Sequence, residues 1–184
     1  MAAVSRRYLL GLAALAGTLA LGACVTPQTS PLPADEAANL RLSSISVDVS
    51  ALVAQGQGPF ATLVGDRLSD ALASAFADRL APRDRTAPRL VVRLKSLTLS
   101  AWAGSSSIRI GGIDYAEGGS DSDYLDGEAL IVSRRGDIQA RYPILFALPS
   151  SYSGPWYLAD NEQRRAATIA QLYADWVKRQ IVGR

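Results

Sequence analysis

Ile45, Val47 and Val49 alternate with Ser46 and Asp48, the period-two pattern of a half-buried strand. Gly56, Gly58 and Pro59 break the pattern, and Pro59 suits the first turn of a helix. Phe60, Leu63, Val64, Leu68, Ala71, Leu72, Ala75, Phe76 and Leu80 then recur at three- and four-residue steps, with Asp66, Arg67, Asp70 and Asp78 mostly between them. This predicts an amphipathic helix stopped by Pro82, its apolar stripe serving as core. Leu90, Val92 and Leu94 alternate again, and the phase slips to Leu97 and Leu99 around Lys95-Ser96, as at a bulge. A weaker strand follows from Ile108 to Tyr115 with Gly111-Gly112 in its middle, where a bend or bulge is expected.

After a Gly/Ser/Asp loop at 117–122, a strand is expected from about Tyr124 to Ser133. Arg134 to Asp137 makes a short hairpin turn into the clearest strand, in which Ile138, Ala140, Tyr142, Ile144, Phe146 and Leu148 point one way. Pro149 to Tyr157 forms an aromatic loop. Asp160 then precedes Gln163 by three, as in a capping box, and opens a last helix. Ala166, Ile169, Leu172, Tyr173, Trp176, Val177 and Ile181 line one face of it; Arg164, Arg165, Asp175, Lys178 and Arg179 take the others. The order β-α-β-β-β-β-α predicts an α+β fold, two helices packed on one face of a mainly antiparallel four- to five-stranded sheet. No internal repeat is visible.

The first residues follow a different logic. Arg6 and Arg7 precede an apolar run from Tyr8 to Leu21, within signal-peptide length and short for a membrane span. The run ends at Leu21-Gly22-Ala23-Cys24, which resembles the lipobox of bacterial lipoproteins. That resemblance implies cleavage between Ala23 and Cys24, a diacylglyceryl group on the thiol and acylation of the new amino terminus. Val25 after the cysteine, in place of Asp, suggests the periplasmic face of the outer membrane, the inner membrane staying open. Ser5-Arg6-Arg7-Tyr8-Leu9-Leu10 also resembles a twin-arginine export signal, although the very apolar run suits general secretion better. Residues 1–23 are thus expected to be a signal peptide, 24–39 a lipidated, proline-rich tether carrying Pro27, Pro31 and Pro33, and 40–184 a single domain.

Composition then removes function classes. The 184 residues include no histidine and one cysteine, which excludes Ser-His-Asp and Cys-His nucleophiles, the usual histidine metal site and an internal disulfide. Of the 19 Lys+Arg, two lie in the signal segment, so the mature part balances 17 bases against 17 acids. A nucleic-acid partner loses its electrostatic footprint.

The remaining chemistry is sparse. Asp114, Glu117, Asp121, Asp123, Asp126 and Glu128 cluster in sequence; solvated loop and outward strand positions are the first reading, with calcium binding or carboxylate hydrolysis as alternatives. The EF-hand register fails at Leu125. Ser105-Ser106-Ser107 and Ser150-Ser151 read as turn chemistry, and Gly111-Gly112 lacks a phosphate-loop context. No catalytic residue, metal site or cofactor is expected, and no enzyme. The loop Tyr152-Ser153-Gly154-Pro155-Trp156-Tyr157 is the candidate partner-binding element, or else a cover for the sheet end. Arg134 and Arg135, and Arg93 with Lys95, are candidates for anionic-lipid contact or simply solvated surface.

The lipobox, the strand–helix start, the successive strands, and Asp160-Asn161-Glu162-Gln163 opening a helix that carries Tyr173 resemble the lipopolysaccharide-assembly lipoprotein LptE family. The chain departs from it in having Val25-Thr26-Pro27 after the cysteine. The resemblance implies two helices on a four-stranded sheet, and an adaptor that binds an envelope protein and contacts lipopolysaccharide. An auxiliary lipoprotein of a lipid-transporting ABC system, or a secretin pilot, is the alternative.

Overall fold

The computed structural model describes residues 31–101, 107–110, 113–116 and 121–183. Residues 1–23, expected to be a signal peptide, and Cys24, Ser105-Ser106, Gly111-Gly112 and Glu117 lie outside the described residues. The chain forms α1 (Ala34–Asn39), β1 (Ser44–Asp48), α2 (Ser50–Ala54), α3 (Gly58–Ala75), β2 (Arg89–Thr98), β3 (Ser107–Ile110), β4 (Ile113–Ala116), β5 (Ser122–Val132), β6 (Ile138–Pro149) and α4 (Asn161–Val182). The main sheet has the order β1-β2-β5-β6. β1 runs parallel to β2, with α2 and α3 as the crossover, and the other two pairings are antiparallel. This is the expected α+β class, with α3 and α4 packed side by side on the sheet.

Alternation decides what each strand buries. Leu90, Val92 and Leu94 of β2, Leu125, Ala129 and Ile131 of β5, and Tyr142, Ile144 and Leu148 of β6 face the helices. Ala61, Val64, Leu68 and Leu72 of α3 meet them, together with Ile169, Tyr173, Val177 and Ile181 of α4. Each fully buried leucine of this set contributes about 1.5–3 kcal/mol relative to exposure. The phase slip at Lys95-Ser96 is a bulge, the register shifting between Leu94 and Ser96.

Gly127 is where sheet and helix come closest. A Cβ there would stand 2.5 Å from the Arg93 carbonyl oxygen and 2.8 Å from the Tyr173 hydroxyl. Tyr173 uses that space to donate to the Ile144 carbonyl at 3.2 Å. Burial pushes its phenol far above the ordinary range, so it stays a donor.

Several boundaries differ from expectation. The long helix ends at Ala75, before Pro82, because Phe76 turns fully into the core and a 3₁₀ turn (Ala77–Arg79) leads the chain back. The weak strand expected over 108–115 is instead a separate antiparallel hairpin, β3 with β4. The expected capping box does not form: Asp160 has no side-chain cap bond, and its carboxylate accepts from Arg164 Nε at 3.0 Å. The extended stretch expected to reach residue 39 gives way at Leu32, which packs on the core and donates its N–H to the Ile181 carbonyl at 2.9 Å. α1 follows, with Ala37 buried.

β6 has no sheet partner on its outer side among the described strands. Pro143 lies opposite Glu128 within the ladder. Lacking an N–H, it must turn that position outward, and by period two Pro149 does the same. Two prolines thus blunt the edge against further strand pairing.

Candidate functional site

The end of β6 runs into a 3₁₀ turn (Ser150–Ser153) and an irregular stretch that reaches α4 at Asn161. Buried Ser150 donates its N–H to the Asp121 carbonyl at 2.9 Å, which ties the turn to the start of β5. Gly154 follows at φ +92°, a conformation that favours glycine. Arg164, on the first turn of α4, holds the loop from beneath. Its guanidinium donates to the carbonyls of Ser153 and Pro155 (2.7 Å for the latter) and to the Asp160 carboxylate.

On that support Tyr152, Trp156 and Tyr157 are 61, 60 and 71% exposed, and Leu158 is also exposed. The Trp156 and Tyr157 rings meet edge-on, 6.0 Å between centroids and 82° between planes. Of the three aromatics anticipated from sequence, Trp156 and Tyr157 form an exposed aromatic ledge, and Tyr152 is exposed on the 3₁₀ turn before it. An exposed aromatic group whose loop is already ordered loses little entropy on docking, which suits a protein-binding anchor.

Arg165 points the other way, into the domain. Its Nε donates to Asp123 Oδ2 at 2.8 Å and its Nη2 to Asp123 Oδ1 and to the Ser100 carbonyl, 2.9 Å for the last. Ser100 N–H donates back to Asp123 Oδ1 at 3.0 Å, and its hydroxyl bonds Asp121 Oδ2 at 2.9 Å. Arg165 and Asp123 are 2% and 0% exposed. This bidentate pair clamps the start of α4, one residue after Arg164, to the end of β2 and the start of β5.

The acidic cluster does not form one site. Asp123 belongs to that clamp on the helix-covered face, whereas Asp126 and Glu128 lie on the opposite face. The solvated reading is corrected for Asp123 and for Glu128, which is 6% exposed. Glu128 accepts from Arg141 at 2.7 Å and lies 3.9 Å from Arg93, which in turn reaches Asp48 at 3.8 Å. Arginine stems from both neighbouring strands cover it. Arg93 is thus engaged within the sheet. Among the described residues no group of three or more potential ligands could hold a metal ion. Arg134 and Arg135 sit in the β5–β6 turn, at the other end of the sheet from the aromatics.

No family model matches the chain, and no curated protein does. Among solved structures it is similar to a minor lipoprotein from Acinetobacter baumannii, determined by crystallography at 2.35 Å. The identity is 15%, the match covers 74% of this chain and 88% of that one, and the TM-score is 0.41.

Proposed function

We propose that the chain is a lipid-anchored, non-catalytic adaptor on the periplasmic face of the outer membrane, binding an envelope protein through the aromatic ledge. The observation that carries the binding half is the exposure of Tyr152, Trp156 and Tyr157 on a loop pinned by Arg164. The anchor rests on Leu21-Gly22-Ala23-Cys24 after the apolar run. Acyl chains contribute about 0.8 kcal/mol per buried methylene, so two or three hold a protein firmly. None of the described helices is long and apolar enough to cross a membrane.

The test is a crosslinked, mild-detergent pull-down of the C-terminally tagged chain beside Cys24→Ser and Trp156→Ala. Cys24→Ser is expected to leave the membrane fraction. Trp156→Ala is expected to stay there, melt like the wild type, and lose its partner by about 30-fold in affinity, the ~2 kcal/mol of an aromatic hot spot. Recovery of a β-barrel protein fits the assembly adaptor, and recovery of a transporter fits an auxiliary lipoprotein. Equal recovery with Trp156→Ala would remove the ledge from the proposal, and membrane retention of Cys24→Ser would remove the anchor.

A further inference from the structure

The two ends of the sheet differ in chemistry. The aromatic ledge occupies the end where α4 begins; the segments 83–89 and 133–137 meet at the other. There Ser43 N–H donates to the Pro88 carbonyl at 2.8 Å, Arg134 Nη1 donates to the Arg85 carbonyl at 2.9 Å, and Arg89 stands opposite Val132. These two segments carry Arg83, Arg85, Arg89, Arg134 and Arg135 against Asp84 and Asp137. In a mature chain of zero formal charge, this is a local concentration of cations. Among the described residues no carboxylate lies within ion-pair distance of any of the five. Asp84 is occupied locally, accepting from the Thr86 N–H at 2.8 Å and the Thr86 hydroxyl at 2.7 Å. Asp137 bonds Ser133. Ser43, Ser44, Arg85, Arg89 and Arg134, with Asp84 among them, line an open cavity of about 310 Å³ at this end.

The N-terminal stretch arrives at the same end. Leu32 bonds Ile181 near the end of α4, Leu42 bonds Arg79 and Ala81, and Arg79 donates to the Ala37 carbonyl. Leu32 lies eight positions after Cys24, a reach of at most about 28 Å. The 22 residues of α4 place the aromatic end a further ~33 Å away. Lipid at Cys24 would therefore tether the domain by its arginine end.

We infer that the arginine end docks on anionic phospholipid headgroups of the membrane that holds the anchor, orienting the domain with its aromatic ledge away from the bilayer. The orientation rests on lipidation at Cys24; the charge match rests on the arginines alone. Guanidinium groups suit phosphate because their planar forks bind it bidentately. Contacts of this kind are too weak to retain the chain without acyl chains, since stable anchoring takes two signals. Release of Cys24→Ser and docking of the anchored protein are thus compatible.

The experiment is co-sedimentation of the unlipidated chain, residues 24–184 with Cys24→Ser, with phosphatidylcholine vesicles with and without phosphatidylglycerol. Binding is expected with phosphatidylglycerol only, weakening as salt is raised. Arg85→Gln/Arg134→Gln/Arg135→Gln should weaken it roughly 30-fold or more, and Trp156→Ala should leave it unchanged. Arg135→Glu alone, on an exposed turn, serves if the triple variant fails to fold, and should weaken binding in the same direction. Equal binding to neutral vesicles, or undiminished binding by the folded variants, would overturn the inference. Release from the vesicles by inorganic phosphate at matched ionic strength would mark a site for a free anion and overturn it as well. Vesicle binding that fails while the wild type stays in the membrane fraction and Cys24→Ser leaves it would sink the docking alone, with the anchor intact.

Discussion

Arg165→Met should cost about 3–5 kcal/mol of stability, the largest single loss we expect in the chain. The substitution keeps the apolar stem and removes the guanidinium, leaving the Asp123 carboxylate buried without its bidentate partner. An isolated buried charge is penalised far more than the pair it came from. Thermal melting should fall by about 10 °C or more for a domain of this size. Asp123→Leu/Arg165→Met removes both charges and should recover most of the loss. Ser100, whose N–H that change releases, is only half-buried. A double variant as unstable as the single would show that the pair is more than a compensated charge. Because the clamp holds Arg165 near the start of α4, the single variant should also loosen that end of the helix. Hydrogen exchange over residues 161–168 would record that as faster amide exchange.

Gly127→Ala comes next, at about 2–3 kcal/mol. The added methyl would meet the Arg93 carbonyl of the neighbouring strand and the Tyr173 hydroxyl above it. Neither can yield easily: the first is ladder backbone, and the second is fixed by its bond to Ile144. Adding Tyr173→Phe clears one obstruction and not the other, so it should restore little. Chemical denaturation of the three variants measures this, with a lower midpoint and unchanged slope expected for Gly127→Ala.

The sheet and the two long helices were legible because period two and period 3.6 leave a strong trace. Even the bulge at Lys95-Ser96 showed in the phase of the leucines. Helix ends were less legible, because Ala75 and Phe76 fit the helical stripe while tertiary packing, not the stripe, decides where Phe76 turns inward. The β3–β4 hairpin was read as one strand, since four-residue strands give too few positions to define a period. The aromatic loop could be picked out by residue type; its exposure could not, because Trp is as good a cover as an anchor.

The clamp was missed for a different reason. Asp123 shares its parity with Leu125, Ala129 and Ile131, and Arg165 precedes Ile169, Tyr173, Val177 and Ile181 at steps of four. Both charges were therefore in phase with the core. Taking charge as a mark of solvent overrode that phase, although one acid and one base on inward positions is the pattern that lets both be buried. Glu128 was out of phase with the core and is covered nonetheless, by Arg93 and Arg141 on the adjacent strands. No single-strand pattern reports such a neighbour; the register must be known first.

Together these elements describe a polarised domain: the described N-terminal stretch and the arginines at one end, an exposed aromatic ledge at the other, and a buried ion pair fixing the helix that joins them. The most direct test of that claim is site-specific photocrosslinking in intact cells, with the probe at Tyr157 in one strain and at Arg135 in another. The account predicts a discrete protein adduct from position 157, lost with Trp156→Ala, and lipid rather than protein adducts from position 135. Protein adducts from position 135 with none from position 157 would contradict it.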